Sequence, residues 1–396
     1  MTITIENFCG FETGGLDEVD QTVGSPDATE TGVVNSGAFS CRMAPAATPA
    51  EIGFETIRPP PIFEWSAKLT IGIHINLTDL TPGSDVDLFW VEDDAGASHL
   101  TLRLKTNGDL AIINKLGVEE ASATPGWSVN TWHLLEMTMF LVVSGFFELT
   151  LDDDVTFLID TSGNFSVQTD TERPVVFFGG ADNTAGNPTI YYDDFYGIAS
   201  DGVAFPDRLG DAAVFKYQNV KNSNDPDRDG TGGADSNGQL HAGTWNRAGE
   251  TPVAETATNP EYTSAGAGAV DCDAANGFPE GPSGDSRLAG NIVAAKGVSS
   301  MKRSGGAGTA HFILLGNDVD GTTRSPDINP TQSFAGRFFI TELASIVPTA
   351  SEHFSIGFET DGAQDYECRE QWAMLLQDAA EIPLPPPTRN RLHVIG

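Results

Sequence analysis

Residues 100–113 read LTLRLKTNGDLAII, and this stretch decides the fold. Leu100, Leu102 and Leu104 alternate with Thr101 and Arg103, the period of a strand with one buried face. Asn107-Gly108 supplies the positive φ angles of a tight turn, and Leu110 to Ile113 resumes the apolar run. The unit is therefore a β-hairpin. Outward from it, Trp132 to Leu141 and Phe146 to Leu151 flank Val142-Val143-Ser144-Gly145 as a second hairpin. Val175 to Phe178 and Thr189 to Ile198 read as two further strands. Long antiparallel strands joined in this way must bury one face against a second sheet, which predicts a sandwich.

Composition agrees with that reading. The 396 residues include 43 Gly, 23 Pro and 23 Phe but only 6 Met, which suits short turns between aromatic strands and not long helices. The net charge of −35 repels phosphate backbones and excludes nucleic acid as a partner. The most apolar run, Met137 to Phe147, is too short to span a bilayer, so membrane insertion is not expected. The opening MTITIENFCGFETG lacks the basic start and apolar core of a secretory signal, and synthesis in the cytoplasm without one is expected.

The texture changes near residues 201–210, which predicts three parts. Residues 1–204 form a jelly-roll sandwich, and 205–378 a second β-sandwich with long Gly- and Asp-rich loops. In the second part, strands are expected at Asn291–Val298, His311–Leu315, Ser333–Leu343 and His353–Phe358, with one helical turn at Glu370–Gln377. Residues 379–396 form an extended arm, stiffened by Pro385, Pro386 and Pro387, with Arg389 and Arg391 near its end. The arm suits docking on a neighbouring subunit; a disordered tail is the alternative.

Several short motifs in residues 1–200 resemble the concanavalin A-like, laminin-G-type jelly roll. They are Phe11-Glu12-Thr13-Gly14, the run Gly37 to Cys41, Gly126-Trp127 and Trp132 to Glu136. Phe147 to Asp152 and Tyr191-Tyr192-Asp193-Asp194-Phe195-Tyr196 complete the set. The resemblance implies that the first strand lies beside the last, to which the Tyr-Asp-Asp element belongs. A lectin-like jelly roll followed by a second β domain is also similar to minor virion proteins of tailed bacteriophages. That likeness implies a non-enzymatic structural protein on the particle exterior, a decoration, fibre or tail-surface component released by lysis. Its partners would be other virion proteins and copies of itself. The alternative is a carbohydrate-binding adhesin that recognises surface glycans.

The sequence offers three sites, each with a plainer reading beside it. Asp225, Asp227, Asp229 and Gly230 match the opening of a calcium loop, with Asp235 as a further oxygen donor. Position 12 is Ser236 where a bidentate Glu belongs, so an Asp-Gly-rich surface turn is the alternative; calcium is the one cofactor suggested. Trp245, with His241 and Arg247 nearby, could stack a sugar ring or anchor a subunit contact. Trp65 and Trp132 sit in strand patterns and are expected in the core. Glu359, Asp361 and Gln364 approach the spacing of a glycoside hydrolase motif, but Gln364 cannot move a proton. A hydrolase is thus the remotest alternative, and no catalytic residue is assigned. The seven His fall at no metal-ligand spacing, and Cys9 and Cys41 could pair or stand as buried thiols.

Overall fold

In a computed structural model, residues 3–217 are described except 13, 56–67, 93–95, 97, 153–155, 166–174 and 201–207. Beyond 217 the described residues are 262–264, 267–269, 292–303, 310–316, 323–324, 338–342, 354–361 and 366–377. Among them there is no helix, and the all-β fold class is borne out.

The chain opens with β1 (Ile3–Cys9), β2 (Gln21–Val23), β3 (Asp27–Glu30), β4 (Ser40–Met43) and β5 (Glu51–Glu55). Next come β6 (Lys68–Leu77), β7 (Val86–Glu92), β8 (Ser98–Leu104), β9 (Leu110–Asn114) and β10 (Glu119–Ala123). β11 (Trp132–Phe140), β12 (Gly145–Leu151), β13 (Ile159–Gly163), β14 (Val175–Gly179) and β15 (Ile190–Ser200) follow. An eight-stranded sheet runs β13-β12-β11-β6-β15-β4-β3, with β1 also paired to β15. A seven-stranded sheet runs β10-β9-β8-β7-β14-β5-β2. All pairings between these strands are antiparallel, a lone parallel bridge joins Ala46 to Asp182 outside them, and the first strand does lie beside β15.

Alternation in β6 shows why the two sheets close on each other. Leu69, Ile71, Ile73, Ile75 and Leu77 all point into one core, where they meet Leu100, Leu102, Leu104, Ile112 and Phe178 from the other sheet. Burying an aliphatic side chain of this size contributes about 1.5–3 kcal/mol, so the row is a principal source of stability. Phe54 and Phe195 stack at the centre, ring centroids 4.2 Å apart. The hairpin forms, but of the Asn107-Gly108 pair only Gly108 takes a positive φ, 86°; its N–H donates to the Lys105 carbonyl, so the turn runs from Lys105 to Gly108 and is not a two-residue Asn-Gly turn.

One edge of β15 is shared by two strands. β4 pairs with Ile190–Tyr192 and β1 with Phe195–Ser200, and a bulge separates them at Asp193 and Asp194, where Asp194 takes φ 50°. Cys9 lies opposite Phe195 and Cys41 opposite Tyr192; both are buried free thiols.

Nine more strands are described. They are β16 (Ala213–Tyr217), β17 (Tyr262–Ser264), β18 (Ala267–Ala269), β19 (Ile292–Arg303) and β20 (Ala310–Gly316). β21 (Thr323–Arg324), β22 (Phe338–Glu342), β23 (Phe354–Asp361) and β24 (Tyr366–Gln377) complete the order. They make a five-stranded sheet, β16-β24-β19-β22 with β17 on β24, and a four-stranded sheet, β18-β23-β20-β21. The helical turn expected at Glu370–Gln377 is instead part of β24, held between β16 and β19. Met374 and Leu376 are both buried, the period of a strand, and pairing on both edges overrides helical propensity.

This sheet covers the outward face of the eight-stranded one. Phe8, Tyr196 and Ile198 form a second apolar cluster with Ala212, Val214, Ala294, Met374 and Leu376. The outward side chains of β6, Thr70, His74 and Asn76, are also buried although they are polar.

Candidate binding face

The outward face of the seven-stranded sheet carries a row of residues set by strand register. Phe177 of β14 lies opposite Trp90 of β7 and Gly53 of β5, and Trp90 lies opposite Thr101 of β8. The Trp90 and Phe177 rings are parallel, 7° apart in plane with centroids separated by 5.4 Å. That offset places them like overlapping shingles and not face to face.

Two glycines make room for them. A β-carbon at Gly53 would come within 2.6 Å of the Phe177 ring, and one at Gly179 within 2.6 Å of the indole. Each ring thus lies down over the bare backbone of the next strand. Phe177 is buried beneath, while Trp90 keeps part of its surface in solvent.

Polar groups surround the pair. The Trp90 indole N–H donates to Glu92 at 2.7 Å. On β8, Arg103 grips Asp87 with two N–H donors at 2.5 and 3.0 Å. Lys105 closes on Glu119 at 3.1 Å. Glu51, across from Gly179, has its carboxyl pushed up, first by burial and then by the charge of Glu92. With Phe177 buried, it is the partly exposed Trp90 ring that can stack the C–H face of a sugar ring, while the carboxylates and the guanidinium nearby hydrogen-bond hydroxyls.

The opposite face of the sandwich holds a buried acidic seam. Glu12, Glu18, Asp193 and Asp194 are all nearly inaccessible. Asp193 accepts from the Asn35 and Ser36 backbone N–H groups, and Asp194 from the Val214 N–H and the Ser36 hydroxyl. Glu12 accepts from Ala38 and Phe39 N–H. Burial pushes the Glu12 carboxyl up to about 8, and it also raises Asp193, which sits against Asp194. His74 bridges the seam, with Nε2 at 2.9 Å from Asp211 and Nδ1 at 3.7 Å from Asp194.

Beside it, the Tyr196 ring lies across Gly72 and its hydroxyl donates to Glu136, which also accepts from Gly210 N–H. Arg208 reaches Thr150 and packs over Phe157. These contacts fasten the chain leaving the sandwich onto the sandwich itself. Among the described residues, no group of three or more His, Cys, Asp or Glu side chains is disposed to hold a metal ion.

Asp225, Asp227, Asp229, Asp235, His241, Trp245 and Arg247 lie outside the described residues, as do Pro385, Pro386, Pro387, Arg389 and Arg391. Trp65 also lies outside them. Trp132 is half-buried at the start of β11 and not a core residue; Trp127 fills that role. Glu359 falls on β23, opposite His311 of β20. The Trp90 face was missed because a bulge near Leu88 shifts register, so Asp87, Trp90 and Glu92 do not show as one outward row.

No family model matches the chain, and no curated protein does. Solved structures similar to part of it include an endo-β-1,4-glucuronan lyase from the fungus Trichoderma reesei, 13% identical with a TM-score of 0.37, covering 52% of this chain and 100% of that one. Cellulose induced protein, Cip1, is 13% identical with a TM-score of 0.34, covering 50% of this chain and 99% of that one. The binding domain of botulinum neurotoxin serotype D is 10% identical with a TM-score of 0.35 over 49% of this chain and 48% of that one. The match thus takes in about half of the neurotoxin domain. At these TM-scores the likenesses bear on neither ligand nor activity.

Proposed function

We propose that this chain is a non-enzymatic surface protein whose N-terminal sandwich binds carbohydrate through the Trp90 face. The Trp90 ring, laid flat over Gly179 against the buried Phe177 and partly open to solvent, carries the reading. Sugars present flat C–H faces that stack on such rings, and the neighbouring Asp87–Arg103 and Glu92 groups supply acceptors and donors for hydroxyls. A face built on a sheet suits an extended polymer better than a single small sugar. The setting we assign is the exterior of a tailed-phage particle, supported by the layout of a lectin-like jelly roll ahead of a second β unit. Subunit contacts through residues 379–396 belong to the same proposal.

Binding of the purified full chain to an array of immobilised glycans tests this function. Saturable binding to one glycan class, lost in Trp90→Ala with an unchanged melting temperature, is expected. Retention of nothing on the array, or binding unaffected by Trp90→Ala, contradicts it.

A further inference from the structure

We infer that the Trp90 face takes a polysaccharide bearing free amino groups, with glucosamine-type units, in preference to neutral or acidic glycans. The inference rests on the carbohydrate-binding reading above and names the ligand class for that face. Its ground is charge complementarity around the aromatic pair. Glu92 sits at the indole N–H edge of Trp90, accepting at 2.7 Å. Glu51 lies on β5, one strand beyond the Gly179 backbone that the indole covers. The two carboxyl groups therefore lie toward opposite ends of the indole, and the charge of Glu92 disfavours ionisation of Glu51.

Among the described residues of this face, the basic groups Arg103 and Lys105 are already engaged. Arg103 is held by both oxygens of Asp87, and Lys105 by Glu119. An acidic sugar would meet two carboxylates and have to displace an existing ion pair to find a cation. An ammonium group meets the reverse situation: the Glu92 carboxylate, the Glu51 carboxyl whose ionisation a cation favours, and the negative face of the indole. Binding it would also relieve the repulsion between Glu51 and Glu92. The chain's overall charge of −35 adds long-range attraction for a polycation, which steers encounter without fixing where it binds.

Titration calorimetry on the full chain, at an acidity that keeps the amines protonated, tests the inference with three probes: a glucosamine oligomer, its fully N-acetylated counterpart and a glucuronic acid oligomer of equal length. The glucosamine oligomer is expected to bind about tenfold or more tightly than the acetylated one, the scale of one charge-assisted contact. The glucuronic acid oligomer is expected not to bind. In Glu51→Gln/Glu92→Gln the preference disappears while the acetylated oligomer still binds. In Trp90→Ala both are lost, and each variant is compared with wild type for melting temperature. Equal affinity for charged and acetylated oligomers overturns the inference and leaves the carbohydrate-binding reading standing. Failure to bind any of the three overturns the inference, and an empty glycan array would then remove the broader reading as well. Glucosamine binding that survives Trp90→Ala undiminished marks nonspecific polycation attraction and overturns the inference too.

Discussion

The six-membered ring of Trp90 lies over the backbone of Gly179, so close that a β-carbon there would fall 2.6 Å from the indole Cζ3. A real Cβ cannot occupy that space, and behind it the Asp87 carbonyl oxygen stands only 2.7 Å away. Gly179→Val is therefore expected to lift the indole off the sheet and separate it from Phe177. Glycan affinity falls by about tenfold or more, while overpacking costs about 1–3 kcal/mol of stability. Urea unfolding and a glycan titration on the same variant read the two effects separately.

The seam under the second sheet obeys the same geometry. A β-carbon at Gly72 would come within 2.1 Å of the Tyr196 ring, so Gly72→Ala must push the ring away from Glu136. The buried carboxyl then loses its phenol donor, which adds to the steric cost. A loss of about 3 kcal/mol or more is expected, exceeding the roughly 1–3 kcal/mol expected for Tyr196→Phe. Denaturant unfolding of the two variants ranks them, and equal losses would contradict the close approach.

Burial of Glu12 makes stability depend on pH. Its carboxyl is pushed from 4.5 to about 8, so the folded chain keeps a proton that the unfolded chain releases. Between those values the folded state binds more protons, and its stability falls as pH rises through the window. The contribution is fully present only below the unfolded value. Asp193 shifts in the same direction for the same reason. Glu12→Gln stays neutral throughout, so relative to wild type it gains on the order of a few kcal/mol between about pH 5 and about pH 9. Unfolding curves at both acidities check this; parallel behaviour of the two proteins would contradict it.

The two buried thiols give a chemical test of the sandwich. Burial pushes the Cys41 thiol up, which suppresses the reactive thiolate, and Cys9 is equally enclosed. In a Cys272→Ser/Cys368→Ser background, a thiol reagent is expected to label neither residue natively and both after unfolding without reductant. Two unlabelled cysteines after unfolding would mean a disulfide.

Much of the sandwich is legible in the sequence because its signals are local. Asn107-Gly108 marks where the hairpin turns, and the five aliphatic residues of β6 specify an inward face. What escapes is whatever depends on register or on a distant layer. Thr70, His74 and Asn76 alternate as if they faced solvent, yet all three are buried, His74 against Asp211 and Thr70 against Thr138. The bulge near Leu88 hides the outward row that holds Trp90, and the bulge in β15 turns Asp193 and Asp194 into the seam. Residues 370–377 look helical until paired on both edges. The Trp90 face arises from β5, β7 and β14, distant in sequence, and no motif spans them.

Hydroxyl-radical footprinting of the full chain, read by mass spectrometry with and without a saturating glycan, tests the central claim most directly. Oxidation of Trp90 is predicted to drop several-fold when glycan is bound, while the exposed Leu116 and Val143 are oxidised as before. Glycan binding that leaves Trp90 oxidation unchanged would contradict the assignment of this face.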